Sequence, residues 1–136
     1  MADRVNRNNI AIVLVAPRLP ENIGAAARAM NNMDIRRLIV VKPGNMDRER
    51  IAMMATSHSM NIMENMQVHD DLREALATFR YIAGTTARVG SMRPALTTPK
   101  DFARDIIPIS KKNDVAILFG PEDRGLSNEH LSFCHT

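Results

Sequence analysis

One cysteine, Cys134, in 136 residues excludes an intramolecular disulfide and fits a reducing, cytoplasmic setting. Four scattered histidines share no metal-ligand spacing with it, so no metal is expected. Tryptophan is absent, and one Tyr with four Phe do not make a stacking platform for single-stranded bases. No run reaches the roughly 18 apolar residues of a bilayer span, which excludes a membrane protein of that type. The opening residues Met1 to Asn9 carry no signal-peptide core. Neither an internal repeat nor a low-complexity linker is present, and the length suits one domain with a substantial core.

What is present alternates. Apolar strand signals at 10–15, 38–41, near 66–69, 80–84 and 115–119 are separated by helical patterns at about 22–33, 48–57, 71–78 and 99–106, with another helix starting at Ser127. This alternation predicts an α/β fold, a mostly parallel sheet flanked by helices. Asp70 is expected to cap the third helix, and Thr98-Pro99-Lys100-Asp101 to open the fourth. The methionines at 46, 53, 54, 60, 63 and 66 read as ordinary gap-filling residues, with a partner surface as the alternative.

Chemistry gathers at two strand ends. Ile10-Ala11-Ile12-Val13-Leu14-Val15 is continuously apolar, as a strand covered on both faces must be. After it come Pro17 and Pro20, then an Ala-rich helix starting near Glu21 or Asn22, with Ile23, Ala27, Met30 and Met33 on its apolar face. Taken singly, Asn22 reads as an N-cap, Gly24 as a close-packing residue and Arg28 as a solvated one. All three together behind a buried strand point to a site, because open α/β sheets bind ligands beyond the carboxyl ends of their strands.

The second junction follows Val115-Ala116-Ile117-Leu118-Phe119 and reads Gly120-Pro121-Glu122-Asp123-Arg124-Gly125-Leu126-Ser127. Gly120 and Gly125 permit close backbone approach or positive φ, and Ser127 can cap the next helix. It is neither a Walker loop nor a dinucleotide fingerprint. Glu122 and Arg124 alone would be a weak surface pair.

The formal net charge is +3, and 14 of the 18 basic residues are Arg, the side chain whose rigid donor fork suits phosphate oxygens. Arg18, Arg28, Arg88, Arg93 and Arg124 all follow predicted strands. On a parallel sheet they share one edge, which makes Arg18, Arg88, Arg93 and Arg124 candidate RNA-binding residues.

Asn22-x-Gly24-x-x-x-Arg28 behind one strand and Phe119-Gly120-Pro121-Glu122-x-x-Gly125-Leu126 behind a later one resemble the SpoU (TrmH-like) branch of the SPOUT RNA methyltransferases, in the family's order from Asn9 to Cys134. Within it, Ile12 to Pro43 and Gly84 to Arg88 are most similar to the TrmJ-type tRNA ribose 2′-O-methyltransferases. The resemblance implies S-adenosylmethionine as cofactor, tRNA as partner with an anticodon-loop ribose as acceptor, and a homodimer. It implies Asn22, Arg28 and Glu122 as catalytic group, and Thr85, Thr86, Ala87 and Gly120 as cofactor-binding residues. Glu122 has two roles open to it: accepting a proton, or holding a loop through backbone hydrogen bonds. The family's third motif, a Ser-Leu-Asn turn that completes a trefoil knot, is expected just beyond Thr136. Residues 1–136 are thus expected to be a C-terminally incomplete SPOUT domain, inactive alone. The alternatives are a non-catalytic RNA-binding module of the same fold and a nucleotide-binding α/β protein.

Overall fold

The computed structural model describes residues 6–85, 99–123 and 125–135. Five strands, β1 (Ile10–Val15), β2 (Arg37–Val41), β3 (Gln67–His69), β4 (Tyr81–Gly84) and β5 (Val115–Phe119), form one parallel sheet in the order β3-β2-β1-β5-β4. β1 is central. Its register with β5 runs from Ile10 opposite Val115 to Leu14 opposite Phe119, so the loops leaving both strands emerge side by side.

Period-two alternation divides the sheet's side chains between two cores. Ile10 and Ile12 of β1 pack with Ile23, Ala27 and Met30 of α1 (Pro20–Asn32), Ile51 of α2 (Arg48–Met54), Ile62 of α3 (Met60–Glu64) and Ile106 of α5 (Pro99–Lys112). Ala11, Val13 and Val15 face the other way. They meet Leu72 and Ala75 of α4 (Leu72–Ala75), then Leu76, Phe79 and Leu126, with Leu131 of α6 (Asn128–Leu131) beside them. Residues of β1 are buried almost throughout, which explains why the strand reads as an unbroken apolar run rather than an alternating one.

Several boundaries differ from expectation. Helix α1 begins at Pro20, with Leu19 as its N-cap and no side-chain cap, so Asn22 lies inside the first turn rather than capping it. Met33 is exposed instead of buried because the helix ends there. Asp34 takes φ 58°, and the Ile35 and Asp34 amides donate back to the carbonyls of Met30 and Asn31, closing a Schellman turn. The expected helix 48–57 stops at Met54 as α2, and a 3-10 turn at Ser57–Ser59 and the unexpected α3 follow, because the Thr56 N–H donates to the buried Ser59 hydroxyl and that hydroxyl donates to the Thr56 carbonyl. Asp71, not Asp70, caps α4. Helix α5 continues past the expected 106 to Lys112, with Pro108 inside it on the exposed side. Ser127 caps α6 as its sequence suggests. The Thr98 cap and the loop 88–98 lie outside the described residues.

Helices α1 and α2 touch through Gly24. A Cβ there would overlap the Ile51 carbonyl oxygen and stand 3.2 Å from the Met54 Cβ. Alanine raises helix propensity by about 1 kcal/mol, yet overpacking a rigid contact costs typically 1–3 kcal/mol. Gly24→Ala is therefore expected to be net destabilising by about 1–2 kcal/mol, measured as a lower urea midpoint; a higher midpoint would show that α2 yields freely.

Candidate active site

The two strand-end loops are tied by one carboxylate. Glu122 accepts the backbone N–H of Arg18 at 3.1 Å from each of its oxygens and the N–H of Leu19 at 2.9 Å, and the neighbouring Asn22 side chain helps to stabilise its charge. Partial burial pushes the Glu122 carboxyl upward, but the amides of Arg18 and Leu19 and the Asn22 side chain outweigh it and leave the group below the usual carboxylate range. The anion also stands at the start of α1, where the helix dipole favours negative charge and no side chain of α1 supplies a cap. This is loop-holding geometry. A carboxylate with a depressed pKa and its lone pairs committed to amides is a weak proton acceptor.

Asp123 holds the same loop through its side chain. Its Oδ2 lies 2.5 Å from Nη1 of Arg18. On the neighbouring flank, Glu21 in the first turn of α1 receives Nε and Nη2 of Arg50 at 3.0 and 2.8 Å, a two-point pair that fastens α2 to α1. The Arg50 hydrogen bond draws the Glu21 pKa down. Sequence reasoning missed this pair, since residues 29 apart on separate helices carry no local pattern that would join them.

Gly120 approaches closely, but to its own chain. A Cβ at Gly120 would overlap the Gly125–Leu126 peptide, whereas Gly125 supplies the positive φ, 70°, and has open space where its Cβ would point. The Gly125 amide closes the turn by donating to the Pro121 carbonyl at 2.8 Å. Thr85 extends β4 onto β5, with both its N–H and its Oγ1 donating to the Leu118 carbonyl at 3.0 and 2.9 Å. Beyond it, Thr86, Ala87, Arg88, Arg93 and Arg124 lie outside the described residues.

The structure thus joins Glu122 and Arg18 by direct contact, with Asn22 beside them, and sets Thr85 and Gly120 at the same carboxyl edge. Arg28 stands apart. It is exposed on α1, about 9 Å further along the axis than Asn22, and makes no ion pair among the described residues.

The end of the chain closes on β4. The Cys134 Sγ lies where a Gly84 side chain would be, 2.8 Å from its Cβ position, and burial pushes the thiol up to about 11. The His135 amide donates to the Ile82 carbonyl at 2.7 Å, the Ile82 amide donates to His135 Nδ1 at 2.9 Å, and the imidazole stacks on Tyr81. His135 therefore occupies strand-pairing positions on the outer edge of β4.

A family model described as the SpoU rRNA Methylase family matches residues 9–136, and the chain belongs to that family. Within it, the chain is similar to TrmJ of Pseudomonas aeruginosa, a tRNA (cytidine/uridine/adenosine-2′-O-)-methyltransferase, with 36% identity over 128 residues covering 93% of this chain and 49% of the relative. A Haemophilus influenzae protein named as an uncharacterized tRNA/rRNA methyltransferase is 37% identical over 127 residues, 93% of this chain and 51% of its own length. The crystal structure of TrmJ from Z. mobilis ZM4 matches with a TM-score of 0.83 at 32% identity, covering 93% of this chain and 56% of that one. AviRb, a SpoU methyltransferase of Streptomyces viridochromogenes solved in complex with AdoMet, shares the fold alone, with a TM-score of 0.60 at 17% identity over 99% of this chain and 50% of that one. The chain spans about half the length of the curated relatives it matches.

Glu122→Gln keeps the shape and removes the charge. Because the side chain is exposed, we expect a loss of about 1 kcal/mol at neutral pH rather than the larger value of a buried charged hydrogen bond. A carboxyl whose folded pKa is lowered contributes stability above its ordinary value, near 4.5, and loses it as pH falls through the folded value. The gap between wild type and variant should accordingly close on acidification below about pH 4, followed by urea midpoints across pH. A gap that persists unchanged to pH 2.5 would assign the contacts to shape rather than charge.

Proposed function

We propose that this chain carries the strand-end machinery of an S-adenosylmethionine-dependent tRNA ribose 2′-O-methyltransferase, acting in the cytoplasm as a homodimer on an anticodon-loop nucleotide. The observation that carries it is the junction of the two motif loops by Glu122, in a chain 36% identical to TrmJ over 93% of its length. The backbone at the ends of β4 and β5 suits a bulky cofactor. Of the glycines there, Gly84 and Gly120 are packed against the protein's own chain, and Gly125 is the one with open space beside it. Thr85, Thr86, Ala87 and Gly120 would hold the cofactor, which when bound supplies an electrophilic methyl group.

The remaining work belongs to the protein. Methyl transfer needs the ribose oxygen held in line with the methyl carbon, so positioning supplies much of the rate. Arg28 grips the phosphate of the target nucleotide and stabilises the alkoxide that develops. A guanidinium offers donors only and does not accept a proton. Glu122 fixes Asn22 and the β1–α1 loop, and its depressed pKa leaves proton acceptance to a substrate phosphate or to water. Arg88, Arg93 and Arg124 add contacts to the RNA backbone.

In the full-length protein, Arg28→Ala is expected to lower the single-turnover methylation rate at saturating tRNA and cofactor by about 100-fold or more, the scale of losing one transition-state donor, with folding and calorimetric cofactor affinity retained. Arg28→Lys should recover only part, lacking the planar fork. Lys112→Ala, at the end of α5, should change only tRNA affinity and its salt dependence. Wild-type turnover by Arg28→Ala would return Arg28 to the solvated surface.

A further inference from the structure

Arg18 is held at both ends by consecutive residues of one loop. Its backbone N–H donates to both oxygens of Glu122, and its Nη1 meets the carboxylate of Asp123 at 2.5 Å. Both side chains of the ion pair remain in solvent, 63% exposed for Arg18 and 41% for Asp123. The pair uses one of five guanidinium donors, and neither Nε nor Nη2 of Arg18 has a hydrogen-bond partner among the described residues. An exposed arginine ordinarily loses side-chain freedom on gripping a phosphate, and one already tethered loses less.

We propose that Asp123 is a positioning residue that presents the remaining fork of Arg18 to an RNA phosphate beside Asn22, at the mouth of the site. This rests on the tRNA reading above and adds a residue to it. The sign of the effect separates positioning from bare charge. A carboxylate beside the path of RNA repels phosphate, so on charge alone its removal tightens binding. If Asp123 orients Arg18, its removal loosens binding.

The test uses the full-length protein and tRNA from cells lacking the gene, with dissociation constants measured by fluorescence anisotropy over a salt series and melting curves to verify folding. Arg18→Ala should raise Kd about fivefold at moderate salt and reduce the salt slope by about one. Asp123→Asn should raise Kd about threefold and raise KM for tRNA by a larger factor than it lowers kcat, a modest change in keeping with an exposed pair. Asp123→Glu should restore part of the affinity. In the Arg18→Ala background, Asp123→Asn should cause no further weakening. Tighter or unchanged binding by Asp123→Asn, or equal weakening in both backgrounds, overturns the proposal while leaving the methyltransferase reading intact. Wild-type protein that neither binds nor methylates tRNA overturns that reading and takes this inference with it.

Discussion

The parallel pairing of β1 with β5 is the constraint from which the site follows. It joins residues 105 positions apart, Ile10 to Val115 and onward to Leu14 and Phe119. Closing a flexible loop of that length costs on the order of 4 kcal/mol beyond the constant for short loops. Fully burying a few aliphatic side chains, at about 1.5–3 kcal/mol each, offsets it, and Ala11, Val13, Val115, Ala116 and Leu118 are all fully buried along this pair. Register then acts as a ruler. Because Leu14 faces Phe119, the loops beginning at Ala16 and Gly120 leave the sheet at the same level, and the Glu122 carboxylate reaches the amides of Arg18 and Leu19. A slip of one residue would exchange the two faces of β5, moving Leu118 and Val115 into the wrong cores.

Helix packing depends on this frame in a different way. α1 starts where β1 ends, so its first turn stands at the site while its buried face, Ile23, Gly24, Ala27 and Met30, lies over the sheet. Gly24 lets α2 come close enough for Arg50 to reach Glu21. The small residue thus acts on the site indirectly, by fixing the helix that carries Asn22 and Arg28. A ligand-binding role for Gly24 has no support in its surroundings, which are the backbone of α2.

What the sequence disclosed was what depends on local pattern. The strands were legible because a strand buried on both faces is continuously apolar, and β5 matches its expected bounds of 115–119. Ser127 was legible because a hydroxyl before a helix finds amides within three residues. The failures have equally local causes. The helix expected at 99–106 runs on to Lys112, because an exposed position in an amphipathic helix tolerates Pro108. Thr56 and Ser59 diverted the chain from helix 48–57 by hydrogen bonds that compete with helix. At the site, the strand ends of Asn22, Gly120 and Glu122 could be read, but not which groups satisfy them. The partners of Glu122 are amides more than 100 residues away, and Gly120 is crowded by its own loop rather than by a ligand.

Composition treats the arginines as equivalent, and their partners make them different. Arg50 is committed to Glu21 through two hydrogen bonds and serves to join helices. Arg18 is tethered through one nitrogen and keeps most of its fork in solvent. Arg28 is exposed on α1 with no ion pair among the described residues. A cation that must grip an incoming phosphate gains most when no internal carboxylate competes for it, since any intramolecular pair has to be broken or shared first. The acids near the start of α1 are already engaged: Glu21 by Arg50, Glu122 by amides and Asp123 by Arg18. Pairing therefore sorts the cations by availability, and it leaves Arg28 as the unneutralised charge on the helix that enters the site.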